Sequence, residues 1–126
     1  MHGIRVLIVD DFEEWRQFVS SAIAEITDRE NIREASDGEE AIEKVKGWKS
    51  NLAVLDIGLP KMNGIEVARQ LRELYPECKV IFFTENRSSD VIEECFRAGA
   101  NGYVLKSSGV NDLLSAVNAV LKHNDS

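Results

Sequence analysis

Cysteine is scarce. Cys78 and Cys95 stand alone in apolar contexts without metal-ligand spacing, so neither a disulfide scaffold nor a zinc site is expected. Two buried thiols in a reducing compartment are the expectation instead. Long hydrophobic runs are also missing. The longest, Ile4 to Val9 and Val80 to Phe83, fall far short of a membrane span, and no signal-peptide pattern is apparent. A cytoplasmic chain with no membrane role is therefore expected. Basic residues are outnumbered, 15 against 22 acidic, for a net charge of −7. That balance opposes direct nucleic-acid binding and leaves divalent cations welcome. No linker, low-complexity segment or close internal repeat interrupts the chain. What remains is 126 residues, 44% of them hydrophobic, enough for one globular domain over 1–126 with its own core.

Short apolar runs alternate with stretches of helical period. Ile4 to Val9, the more polar Asn31 to Ser36, Leu52 to Asp56, Val80 to Phe83 and Gly102 to Leu105 read as strands. Between them, Phe12, Trp15, Phe18, Val19, Ala22, Ile23 and Ile26 form one helical stripe. Ala41, Ile42, Val45 and Trp48 form a second, and Val67, Ala68 and Leu71 a third that stops before Pro76. Val91, Ile92, Cys95 and Phe96 give a short fourth stripe ending at Gly99. The last and most regular helix carries Val110, Leu113, Leu114, Val117, Val120 and Leu121. Strands separated by helices need crossovers, which predicts a doubly wound α/β fold, a parallel sheet between two helix layers. The first, third and fourth strands are nearly all apolar and belong inside; the other two belong at the edges. The order is then 2-1-3-4-5, with the functional crevice at the carboxyl ends of strands one and three.

Asp10 and Asp11 stand at the end of strand one and Asp56 at the end of strand three. Thr84 ends strand four and Lys106 follows strand five. Three carboxylates within a few ångströms repel by about 4 kcal/mol per pair at an effective dielectric near 20. They need a shared proton, a cation or a metal. Lys106 offsets one charge, and a hard divalent cation such as Mg²⁺ offsets more. A carboxylate can also attack phosphorus, so Asp56 as nucleophile, with metal, hydroxyl and ammonium holding the oxygens, makes a phosphoryl-transfer site.

Four segments, VLIVDD at 6–11, LDIGLPKMNG at 55–64, FFT at 82–84 and GANGYVLK at 99–106, are together specific. Through them nearly the whole chain resembles the receiver domain of two-component response regulators, a flavodoxin-like fold. The resemblance implies that Asp56 is the phospho-acceptor and that Asp10 and Asp11 are the acidic metal pair. It implies that Gly58 lends a backbone carbonyl to Mg²⁺, that Thr84 and Tyr103 are the switch residues, and that Lys106 is the family lysine. It further implies a sensor histidine kinase or phosphotransfer protein as donor, and a face of helix four, strand five and helix five that changes on phosphorylation. A partner, an output domain or a second copy would read that face. Such a domain assists its own phosphorylation and dephosphorylation and is not a conventional enzyme.

Two positions depart from the pattern. Ser107 follows Lys106 where many receivers carry a cis proline, and Glu85 follows Thr84 where a small residue is usual. They keep open a pseudo-receiver that binds a partner without phosphorylation. Two other readings fare worse. An aspartyl-phosphate phosphatase generally needs an aspartate two residues after the nucleophile, where this chain has Gly58. A flavodoxin-type cofactor binder needs a phosphate loop after strand one, where Asp10, Asp11, Glu13 and Glu14 would repel an anion. Asp11 with Glu14, Asp37 with Glu40 and Asn63 with Glu66 also read as helix caps. Trp15 and Trp48 read as packing, and His2 and His123 as terminal residues without a phosphotransfer role.

Overall fold

The computed structural model describes residues 3–122; His2 and His123 lie outside the described residues. Five strands, β1 (Val6–Val9), β2 (Ile32–Ala35), β3 (Leu52–Leu55), β4 (Lys79–Thr84) and β5 (Gly102–Leu105), pair in parallel in the order β2-β1-β3-β4-β5. The intervening helices are α1 (Glu13–Ile23), α2 (Gly38–Val45), α3 (Gly64–Leu74), α4 (Ser89–Arg97) and α5 (Val110–Lys122). Every residue of β1 and β3 is buried, whereas β2 and β5 are only partly covered. This is the interior-and-edge division that the apolar runs predict.

Alternation along the strands divides the core in two. Leu7, Val9, Ala53, Leu55, Val80 and Phe82 face α2 and α3. Val6, Ile8, Val54, Ile81 and Phe83 face α1 and α5. In register, Val9 pairs with Leu55, so Asp10 and Asp56 are each the next residue beyond a paired strand end. The Asp56 N–H donates to the Val9 carbonyl at 3.0 Å, which locks the two strand ends side by side.

The helix starts hold one correction. Asp37 and Asn63 cap α2 and α3 by accepting from Glu40 N–H at 2.8 Å and Glu66 N–H at 3.0 Å. Asp11 does not cap α1. Its N-cap is Phe12, with no side-chain cap bond, and it is Asp10 Oδ1 that accepts from Phe12 N–H at 2.9 Å. Ser88 caps α4 through Val91 N–H at 3.5 Å.

Three aromatics expected inside are outside. Phe12, Phe18 and Phe96 are 52%, 58% and 47% exposed. Helical spacing marks a stripe without fixing how much of it a neighbour covers. Helix α1 is also shorter than its stripe, ending at Ile23, and Trp48 is buried beyond the end of α2. In α4 only Cys95 is fully buried, so the packing that holds this helix is the thinnest of the five. Both cysteines are free and buried, and burial pushes each thiol up to about 11, which keeps them protonated and unreactive.

Candidate functional site

The carboxyl ends of β1, β3, β4 and β5 converge on a pocket of about 310 Å³. Its lining is Asp10, Asp11, Phe12, Trp15, Asp56, Glu85 and Lys106. Ligand oxygens of Asp10, Asp11 and Asp56 lie within 4.8 Å of one another. Asp10 is buried, Asp56 half-buried and Asp11 exposed, so the cluster runs from the core to the surface.

Lys106 answers this charge. Its Nζ lies 2.8 Å from Asp10 Oδ2 and 2.9 Å from Asp56 Oδ2, with the lysine and Asp10 side chains nearly out of water. The Lys106 peptide bond to Ser107 is trans, as no cis bond occurs among the described residues, and the ammonium still reaches both carboxylates. Proline is thus unnecessary for placing this lysine. Burial pushes the Lys106 ammonium down, but hydrogen bonds and charges from Asp10 and Asp56 outweigh it and leave its pKa raised. At Asp10 burial wins, holding its carboxyl above the usual range despite the bonds from Lys106 and Phe12 N–H.

The other oxygens of the pair are already directed. Asp56 Oδ1 accepts from the Ile57 N–H at 2.7 Å, and the Asp10 carbonyl accepts from Arg16 Nη1 at 2.8 Å. Arg16 is itself held by Glu34 at 3.1 Å. The indole of Trp15 packs edge-on against Phe83 at 5.6 Å and presents its ring to Lys106 Nζ at 5.1 Å. Helical spacing had assigned Trp15 to packing alone; here it also backs the ammonium as a cation–π partner. Nothing in a helical stripe could reveal that contact, because it crosses from α1 to the loop after β5.

Thr84, Tyr103 and Gly58 stand outside the pocket lining. Thr84 is buried at the end of β4, and its hydroxyl accepts from the Asn86 N–H at 3.4 Å. The Tyr103 hydroxyl donates to the Asn86 carbonyl at 2.6 Å, so both side chains grip the same residue of the β4–α4 loop. Arg87 Nη2 donates to Ser107 Oγ at 3.0 Å, tying that loop to the lysine's neighbour. Burial pushes the Tyr103 phenol up to about 12, so it remains a donor throughout the physiological range. Gly58 is exposed in the loop after β3, two residues beyond Asp56.

The donor set suits a small hard cation: three carboxylates, no sulfur and no imidazole. The acidic cluster, the buried ammonium and the Thr84 hydroxyl stand at the carboxyl ends of strands beside the sheet's switch point, the position where open α/β sheets bind ligands.

Comparison with known proteins agrees with this architecture. The family model of the response regulator receiver domain matches residues 6–118. The transcriptional regulatory protein DegU of Brevibacillus brevis is 32% identical over 93% of this chain and 50% of its own length. The chain therefore spans about half the length of this protein and of several other relatives it matches. The chemotaxis protein CheY of Thermotoga maritima is also 32% identical, over 95% of this chain and 99% of its own. Among solved structures, the CheX–CheY–BeF3–Mg²⁺ complex of Borrelia burgdorferi superposes with a TM-score of 0.83 at 26% identity, covering 95% of this chain and 90% of that one. Fold, strand-end chemistry and relatives coincide, and the chain belongs to the response regulator receiver domains of two-component systems.

Proposed function

We propose that this chain is a phospho-accepting switch in which Asp56 receives a phosphoryl group from a sensor histidine kinase or phosphotransfer protein. The observation that carries the reading is the cluster of Asp10, Asp11 and Asp56 at the sheet's switch point, with Lys106 bonded to two of them, Asp10 and Asp56. An Asp56 carboxylate oxygen forms the new bond to phosphorus while the phosphorus–nitrogen bond of a phosphohistidine breaks, and the imidazole keeps that electron pair. Asp10, Asp11, Asp56 and the Gly58 carbonyl would hold Mg²⁺, which supplies charge neutralisation for the phosphoryl oxygens when bound. The presence of BeF3 and Mg²⁺ together in a structural relative supports that assignment. Lys106 neutralises charge on the acceptor. The Thr84 hydroxyl, freed from Asn86, hydrogen-bonds the new phosphoryl group, and Tyr103 loses its anchor on the same loop. The α4–β5–α5 face then changes, and a partner, an output domain or a second copy reads it. The thin burial of α4 suits a face that must move at small cost. The domain assists its own phosphorylation and dephosphorylation in the cytoplasm and is no conventional enzyme.

Acetyl phosphate with Mg²⁺ tests this by intact mass. A gain of one phosphoryl group, absent in Asp56→Asn and in chelator, is the expected result. No gain from either acetyl phosphate or a phosphorylated kinase would remove the reading.

A second reading, a pseudo-receiver that works unphosphorylated, draws on Glu85, whose side chain lines the pocket. We assign Glu85 a rate effect instead: its charge opposes an incoming anionic donor. Glu85→Ala is expected to react with acetyl phosphate about three- to tenfold faster, the size of one screened charge contact. An unchanged rate constant would show that Glu85 does not obstruct the donor.

A further inference from the structure

We infer that the opposite end of the sheet carries a second site, for the phosphate of a small phosphorylated molecule. Where β3, β4 and β5 begin, a half-enclosed cavity of about 470 Å³ opens beside the last turn of α3. Its walls include Lys49, Arg72 and Lys79, and a single acid, Glu77. Glu77 is committed to Lys49 at 3.4 Å. The cavity thus carries local positive charge in a chain of net charge −7.

The cations are not equivalent to loose surface lysines. Arg72 donates through Nη1 to the Cys78 carbonyl at 3.2 Å, and its stem lies against Gly99, where a Cβ would stand 3.0 Å from both Cγ and Nε. The guanidinium is anchored by these contacts, and among the described residues its other N–H groups make no further hydrogen bond. Among the described residues Lys79 has no carboxylate within 4.0 Å. Both amides on the wall are turned the same way. Asn51 Oδ1 accepts from Arg5 N–H at 2.8 Å, and Asn101 Oδ1 accepts from Val80 N–H at 2.9 Å. Each amide oxygen is spent on the backbone, which leaves the two NH₂ groups as the available ends.

The cavity therefore offers guanidinium, ammonium and amide donors against a single carboxylate, Glu77, which is paired with Lys49. Three cations to one acid disfavour a bound cation, and an apolar molecule finds little to cover. An oxyanion finds charge-assisted donors of the kind that bind phosphate. The volume is that of a small-molecule pocket. The chain's negative balance opposes a long polyanion but not a compact one.

The test titrates sodium pyrophosphate into ¹⁵N-labelled full chain in chelator, following the Asn51 and Asn101 side-chain NH₂ signals and Arg72 Nε–H. Saturable shifts in the millimolar range or below are expected. Lys79→Met and Arg72→Met, each checked for a native spectrum, should weaken binding about tenfold. Asp56→Asn should titrate as the wild type does, which separates this site from the phospho-acceptor. Shifts that grow linearly without saturation, that sodium chloride reproduces at equal ionic strength, or that both Met variants leave unchanged would overturn the inference.

Discussion

Gly64→Ala is expected to lower stability by about 3 kcal/mol or more and to displace Asp56 with it. A Cβ on Gly64 would stand 1.9 Å from the Asp56 carbonyl oxygen, 2.9 Å from its carbon and 3.0 Å from Ile57 Cα. All three are backbone atoms, so no side-chain rotation relieves the overlap. The Gly64 N–H also donates to the Ile57 carbonyl at 2.8 Å, closing the loop on itself. The same loop is gripped from its far side by Gly38, whose Cβ would meet the Met62 carbonyl oxygen at 2.2 Å. Two close approaches thus fix the turn that carries the acceptor, and a methyl group at Gly64 must push the turn or the start of α3 aside. Gly58→Ala supplies the contrast, for nothing lies within 4 Å of its Cβ position. That variant should stay within about 0.5 kcal/mol of wild type and retain its carbonyl. Urea unfolding of the two variants decides the matter. Equal costs would mean that close approach is not why glycine stands at position 64.

Much of this was legible in the residues. Strand order followed from which runs were nearly all apolar, and the acidic cluster followed from where those runs ended. The glycine at 64 was legible as part of LPKMNG, but its reason was not, because the clash is with a carbonyl eight residues earlier. Side-chain periodicity failed in one consistent way. It placed Phe12, Phe18 and Phe96 on apolar stripes, yet a stripe is wider than the neighbour that covers it, and all three remain largely in water. It also hid Trp15, whose partner lies 91 residues along the chain. The α1 start was misread because two adjacent aspartates compete for one role: the buried Asp10 takes the Phe12 N–H and leaves Asp11 to the solvent side of the pocket. Local patterns name the residues; which of two neighbours faces inward is settled by the strand that leads into them.

Lys106→Met should cost about 3 kcal/mol in chelator at neutral pH, far more than loss of an exposed lysine. The ammonium is almost fully buried and bonded to Asp10 at 2.8 Å and Asp56 at 2.9 Å. Methionine fills much of the same volume beneath Trp15 but leaves two neighbouring carboxylates without their counter-charge. Mg²⁺ should then stabilise the variant more than the wild type, since it no longer competes with an ammonium for the same oxygens. A pH dependence follows from Asp10. Its carboxyl is already raised by burial above the ordinary 3.8, and Lys106 supplies two of the influences that hold it down. Without Lys106 it rises further in the folded state. A raised carboxyl binds more protons folded than unfolded, so stability gained at low pH is lost as pH climbs through the folded value. In chelator the variant's deficit should therefore shrink on acidification from neutral pH toward the unfolded Asp value and widen on return. Denaturant melts across that window, with and without Mg²⁺, measure both effects. A deficit independent of both pH and Mg²⁺ would assign the role of Lys106 to packing rather than to charge, and would leave the three carboxylates without the cation on which the site's geometry is built.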